Sequence, residues 1–231
     1  MTGVQTCALP ISRLEAEIKK SYSQCGEDLL SKYIFDLRGI TQPTFIDIGA
    51  HHPNYLSNTA LFYENGSRGI NIEANPLLLE NFKSYRAEDI NLNIGIGGND
   101  DKLDFYIMED DTLSTFSKVE ADLMIAKGKK VSRIKKIELT TISKVLDEFT
   151  NGIFPDFLSL DVEGLDYQIL KSINFDKSFP KVICVEAAEY SSIGAGARRN
   201  ELIDFLVSKG YYEYANTNLN AIMVKNEFWF I

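Results

Sequence analysis

Between Thr44 and Ile173 the chain repeats one pattern: a short apolar run that closes on an acid or a glycine, then a stretch with helical spacing. That alternation is severely constraining. Each run reads as a buried strand, and strands separated by helices pair in parallel with helices on both faces of the sheet. TFIDIG (44–49), RGINIEAN (68–75), INLNIGI (90–96), FPDFLSLDVEG (154–164) and KVICVEAAE (181–189) read as the strands. KLDFYIM (102–108) reads as a hairpin extension of the third, and YYEYANTNLNAIMVKNEF (211–228) as a closing hairpin around Asn216 to Asn220.

The helices carry their own punctuation. Leu30, Tyr33, Ile34 and Leu37 make one apolar stripe, which Gly39 ends. SNTALFYENG (57–66) has Ser57 as a cap and Gly66 just past its end, and Asn75-Pro76 opens LLLENFKSY. TTISKVLDEF (140–149), LDYQILKSI (165–173) and NELIDFLVSKG (200–210) complete the set. Residues 109–138 stay unassigned, from the acids Glu109, Asp110 and Asp111 to the basic run KGKKVSRIKK. The expected fold is α/β: a doubly wound, mostly parallel seven-stranded sheet with a C-terminal antiparallel hairpin. Such a sheet binds ligands beyond the carboxyl ends of its strands, where the order reverses.

Thr2 to Ile11 (TGVQTCALPI) has no hydrophobic period and resembles the translation of a sequencing-library adaptor. Residues 1–12 are therefore set aside as a foreign scar, with a natural disordered tail as the alternative, and 13–231 are taken as one domain. On this reading the native N-terminus and any upstream region are missing. The apolar runs fall far short of the ~18 residues a membrane helix needs. Three cysteines without metal-site spacing suit a reducing, cytoplasmic setting. A net charge of −9 argues against nucleic acid, whose phosphates demand the opposite sign. Nucleic acid is therefore not the expected partner.

The first strand ends in Asp47-Ile48-Gly49-Ala50-His51-His52-Pro53, the second in Ile72-Glu73-Ala74-Asn75. Glu73 stands 26 positions after Asp47, where a carboxylate at the neighbouring strand tip can accept both hydrogen bonds of a ribose diol. A dinucleotide site wants G-x-G-x-x-G to bring backbone amides to a pyrophosphate. Here only the first glycine is present, bulky residues follow, and Asp47 would repel phosphate. A ligand with cationic groups, a ribose diol and no phosphate fits better, and S-adenosyl-L-methionine has all three properties.

The order of motifs resembles the FkbM-type methyltransferase family, through SQCGED (23–28), FIDIGAHHPNYLSNT (45–59), GINIEANP (69–76), the TTISKVLDEF helix, FLSLDVEGLDYQIL (157–170) and VICVEA (182–187). The resemblance covers about residues 21–225. It implies S-adenosyl-L-methionine as cofactor and, as in many members, O-methylation of sugars or natural products. Two departures stand out: Pro53 where the family often has Gly, and Asp166 where it often has Glu, which leaves any carried-over role of Asp166 in doubt. The rival readings are an NAD-dependent oxidoreductase and an adenosyl-binding module without turnover.

The expected cofactor residues are Asp47, Gly49, Ala50 and His51 in the first loop, and Glu73, Ala74 and Asn75 after the second strand. Asn93, Gly95 and Ile96 border the adenine or form a turn, and Gln24 with Glu27 closes over the site or caps a helix. For catalysis, Asp161 holds the cofactor ammonium or orients the acceptor. Glu163 is the general base or a helix-start acid. His51 and His52 are the chain's only histidines, and His52 is the favoured proton acceptor because Pro53 fixes the loop behind it. Glu186 and Glu189 line the acceptor pocket, or with Asp161 and Glu163 approach Mg²⁺. No metal is expected. The six cations from Lys127 to Lys136 form a solvated face or receive an acidic sugar.

Overall fold

The computed structural model describes residues 18–162, 164–188 and 196–230; the segment set aside as a scar lies outside them. Four strands at the centre run parallel: β1 (Phe45–Ile48), β2 (Gly69–Ile72), β7 (Phe157–Leu160) and β8 (Val182–Glu186), with short β3 (Ile90–Leu92) at one edge. The hairpin β9 (Tyr211–Asn216) and β10 (Asn220–Lys225) finishes the other side, β10 antiparallel to β8. The seven-strand order is β3-β2-β1-β7-β8-β10-β9, and the winding reverses between β1 and β7. Ile222 and Met223 share a register shift that bends the hairpin.

Alternation along each strand assigns its side chains to two cores. Ile46 and Ile48 of β1 face one layer with α5 (Ile142–Thr150), α6 (Asp166–Ser172) and α7 (Asn200–Ser208). Phe45 faces the other, against α1 (Glu27–Leu37), α2 (Ala60–Glu64) and α8 (Asn226–Trp229). Asp47 therefore belongs to the Phe45 side. On that side Phe35 sits among the rings of Phe62, Phe157 and Phe228, with centroids 5.9, 6.4 and 6.0 Å away.

Two sequence readings are corrected. The stripe on α1 is rotated: Tyr33 and Leu37 are 51% and 53% exposed, whereas Ser31, Ile34 and Phe35 are buried together with Glu27 and Asp28. The acids turn inward because each has donors to satisfy it. Asp28 accepts from the hydroxyls of Ser21 and Ser23 and the Tyr22 and Leu29 amides, and Glu27 from Thr217, Asn220 and the Cys25 amide.

The second correction concerns the third strand. INLNIGI breaks after β3, and its end, β4 (Gly95–Ile96), joins a separate three-stranded sheet of order β4-β6-β5. KLDFYIM lies in β5 (Asp101–Met108), which pairs not with β3 but antiparallel with β6 (Val131–Thr140), Phe105 opposite Lys135. The unassigned stretch thus supplies a 3₁₀ turn (Asp111–Leu113), α4 (Lys118–Ala126) and most of β6. The basic run is dispersed, Lys129 pairing with Asp110 at 2.9 Å and Lys136 with Asp104 at 3.1 Å. α3 (Pro76–Tyr85) starts as expected, with the Asn75 side chain accepting from the Leu77 amide.

Among the described residues no helix is long and apolar enough to cross a membrane, and Cys25 and Cys184 are free thiols. Phe35→Ala should lower stability by ~3–5 kcal/mol in chemical denaturation, while Leu37→Ala should change it by less than ~0.5 kcal/mol. Equal losses would restore the unrotated stripe.

Candidate active site

β1 is followed by Gly49, whose φ of 80° lies in the left-handed region. A Cβ there would stand 1.7 Å from the carbonyl oxygen of Asp161, so only glycine lets the tips of β1 and β7 come this close. The amides of Gly49 and Ala50 both donate to the Ile72 carbonyl, at 3.0 and 3.1 Å. His51 follows with φ 52°, and its amide donates to Glu73 Oε2 at 2.8 Å. Glu73 Oε1 accepts the Asn75 amide at 2.6 Å. Asn93 donates to the carbonyls of Glu73 and Ala74 at 2.8 and 3.0 Å, which fixes the β2 exit. Burial pushes the Glu73 carboxyl above the usual range, against the pull of these amides.

These strand ends floor a cavity of about 440 Å³. Its lining includes the acids Asp47, Glu73, Asp111, Asp161 and Glu186, the amides Gln24, Asn58 and Asn220, and the apolar side chains Leu78, Ile94, Ile96, Phe105 and Phe116. Asp161 presents open surface to the cavity, yet protein encloses it on its other sides. That enclosure, then the neighbouring Asp166 carboxylate, pushes its pKa up to about 7, although Arg199 and His51 pull it down.

Asp166 itself is a buried brace. It accepts from the Val162 amide at 3.0 Å and from Arg199 at 3.3 Å, and Arg199 also pairs with Glu186 at 2.9 Å. Glu27 holds the turn that carries Leu219 and Asn220. Burial raises its carboxyl, but bonds from Asn220, the Cys25 amide and Thr217 outweigh burial and hold it low.

Gln24, Asp47, Gly49, Ala50, His51, Glu73, Ala74, Gly95, Ile96 and Asp161 all line the cavity. Asn75, Asn93 and His52 do not. The first two brace the loops, and His52 Nδ1 accepts the Asn54 amide at 3.2 Å while its ring stands edge-on to Tyr55. Glu163 and Glu189 lie outside the described residues. Of the two histidines it is His51 that faces inward: Nε2 is 3.1 Å from Asp111 Oδ1, and Nδ1 is buried without a hydrogen-bond partner. Sequence reading missed Asp111, Thr112, Leu113, Ser114 and Phe116, which roof the cavity. Their only signal was the acidic cluster, because what holds them there is the β5–β6 pairing. Among the described residues no three His, Cys, Asp or Glu side chains are grouped to hold a metal ion.

A parallel sheet reversing between β1 and β7, closed by an antiparallel hairpin and carrying acids at the tips of β1 and β2, is the class I methyltransferase fold. The methyltransferase FkbM domain family matches residues 47–212, more than two thirds of the chain, and the chain belongs to that family. Among solved structures it is similar to a methyltransferase FkbM from Methylobacillus flagellatus, with 13% identity and a TM-score of 0.45 over 80% of this chain and 44% of that one. The chain thus spans less than half the length of that protein. It is also similar to a TehB-like SAM-dependent methyltransferase from Corynebacterium glutamicum, with 11% identity and a TM-score of 0.44 over 93% of each chain. No curated protein matches it in sequence.

Gly49→Ala should cost about 1–3 kcal/mol in backbone strain alone, and the collision with Asp161 should open the cavity floor. A variant with the wild-type melting temperature would show that the loop relaxes freely.

Proposed function

We propose that this protein transfers the methyl group of S-adenosyl-L-methionine to a hydroxyl oxygen of a small molecule or glycan. The observation that carries the reading is the charge of the cavity. Asp47, Glu73 and Asp161 stand together on its wall, so a pyrophosphate would meet carboxylates where a dinucleotide site offers glycine amides. A cationic ligand without phosphate meets attraction instead. Each Glu73 oxygen accepts one amide bond and keeps a lone pair for a ribose diol. The apolar side chains of Leu78, Ile94 and Phe105 suit a flat base, and the unpartnered Nδ1 of His51 awaits a polar group inside the cavity.

When bound, the cofactor supplies an electrophilic methyl carbon on a positively charged sulfur. The residues then have two tasks, holding the acceptor oxygen in line and removing its proton. Asn58, Asn220 and Gln24 offer amide groups for the first. Asp161 serves the second, since a carboxyl held near 7 exchanges protons at neutral pH. His52, which stands off the cavity, is replaced in this role.

Calorimetry is the direct test. S-adenosylhomocysteine should bind in the micromolar range and NAD far more weakly; tighter binding of NAD would overturn the reading. Glu73→Ala should weaken S-adenosylhomocysteine by ~1.5–3 kcal/mol, the range for a hydrogen bond to a charged group.

Asp161 generates a pH prediction as well. Its folded pKa is raised, so it contributes stability below its unfolded value and loses that contribution as pH rises through about 7. Asp161→Asn should therefore melt above wild type near about pH 8, with the gap narrowing toward about pH 5.5. Affinity should run the opposite way. Wild type should bind S-adenosylhomocysteine more tightly as pH passes through about 7, and the variant should lack that step.

A further inference from the structure

The Phe45 side of the sheet holds a buried polar chain that leads to Asp47 from residues with no part in the reading above. Arg86, the residue that ends α3, is 0% exposed. Its guanidinium lies among aromatic rings, 5.0 Å from the centroids of Phe45 and Tyr63 and 5.7 Å from that of Phe82. Nε donates to Asp89 at 2.8 Å, and Asp89 also accepts from the Asn71 side chain and the Gly69 amide. The other arm points elsewhere. Nη1 donates to the hydroxyl of Thr59 at 3.0 Å, and Thr59 Oγ1 lies 2.7 Å from Asp47 Oδ2.

The polarity of this chain is fixed. A guanidinium has only donors, so Thr59 accepts from Arg86 and its single proton goes to Asp47. Thr59 occupies the N-cap position of α2 but makes no capping bond there, and Ser57 accepts from the Ala60 amide instead. The hydroxyl is thus withdrawn from its ordinary local use and turned to the carboxylate 12 residues earlier. We propose that Arg86 is a positioning residue for the cavity carboxylate Asp47, acting through the hydroxyl of Thr59. It keeps a proton donor on Oδ2, so that Asp47 meets a cationic ligand as a carboxylate of fixed orientation.

The inference rests on Asp47 being a cofactor contact. Burial pushes the Asp47 carboxyl up, while Thr59, Arg86 and Ser159 draw it down. Among the described residues, the other titratable groups that act on it or feel its charge include Asp89, Glu73, Asp161 and the Cys184 thiol. None of these replaces the guanidinium as a source of positive charge. The hydroxyl of Ser159, which accepts from Asn58 at 3.2 Å, leaves Asp47 one donor if Thr59 is lost.

The test separates positioning from simple structural support, and separates both from the cofactor reading. Asp47 is titrated by carbon-13 NMR of the labelled carboxyl in wild type, Thr59→Val, Thr59→Ser and Arg86→Lys, with Asp47→Asn for assignment. Thr59→Val keeps the shape and removes the donor, so the Asp47 midpoint should rise by about one pH unit or more; Thr59→Ser should stay near wild type. S-adenosylhomocysteine affinity in Thr59→Val should fall below wild type by up to roughly tenfold between the two midpoints and recover as pH is raised beyond the new one. An unchanged midpoint in folded Thr59→Val overturns the proposal, as does an affinity loss of the same size at every pH. Arg86→Lys has one ammonium in place of the two arms, so its Asp47 midpoint should also rise, and an unchanged midpoint overturns the role of Arg86; should that variant fail to fold, Arg86→Gln is titrated in its place. Should wild type not bind S-adenosylhomocysteine at all, the cofactor reading falls, and the NMR titration still decides the relay.

Discussion

Bringing several carboxylates together in one partly desolvated cavity is the constraint to which the rest of the molecule answers. Burial disfavours each charge, and each charge disfavours its neighbours. The three central acids meet this differently. Glu73 is held by backbone amides of the two segments it joins. Asp47 is reached by a hydroxyl with a buried guanidinium behind it. At Asp161 burial and the Asp166 carboxylate outweigh Arg199 and His51, and its pKa rises to about 7. Burial raises the carboxyls of Glu73 and Asp47 as well, and there the amide and hydroxyl donors oppose it.

Backbone geometry makes this clustering possible. A parallel sheet directs the carboxyl ends of its strands to one edge, and the reversal between β1 and β7 leaves a crevice there. Gly49 closes the gap between these strands to a distance that no side chain tolerates, so the loop after β1 turns back toward β2 and lays the His51 amide on Glu73. The second sheet roofs the crevice. Phe105 from β5 and Phe116 from the segment after it reach the cavity, and Asp111 ties the roof to His51.

Much of this was legible in sequence, for reasons that particular residues show. FIDI, GINI, FLSL and VICVE are apolar but for one polar residue each because both faces of a parallel sheet are buried, and Asn75-Pro76 is a helix start by local chemistry alone. Features set by distant partners were not legible. Glu27 and Asp28 look like solvated helix-start acids until Thr217, Asn220 and the preceding serines are placed beside them. The pairing of β5 with β6 spans a helix and a 3₁₀ turn, and no local period announces it. In the candidate site, the strand-tip residues could be named from spacing; the inward turn of His51 and the outward place of His52 depend on one left-handed φ.

That last difference shows why adjacent residues of the same type acquire different chemistry. A φ of 52° at His51 aims its amide at Glu73 and its ring at the cavity. His52 then falls on the outer side, where its Nδ1 is occupied by the Asn54 amide. Burial and the neighbouring His51 lower its pKa, which favours the neutral ring that accepts this bond. The ring that turns into the cavity is the one whose backbone bears the strain, and that strain is sustained because the same peptide unit supplies the amide bonded to Glu73. Replacing His51 thus alters both a cavity wall and the geometry of the carboxylate beside it.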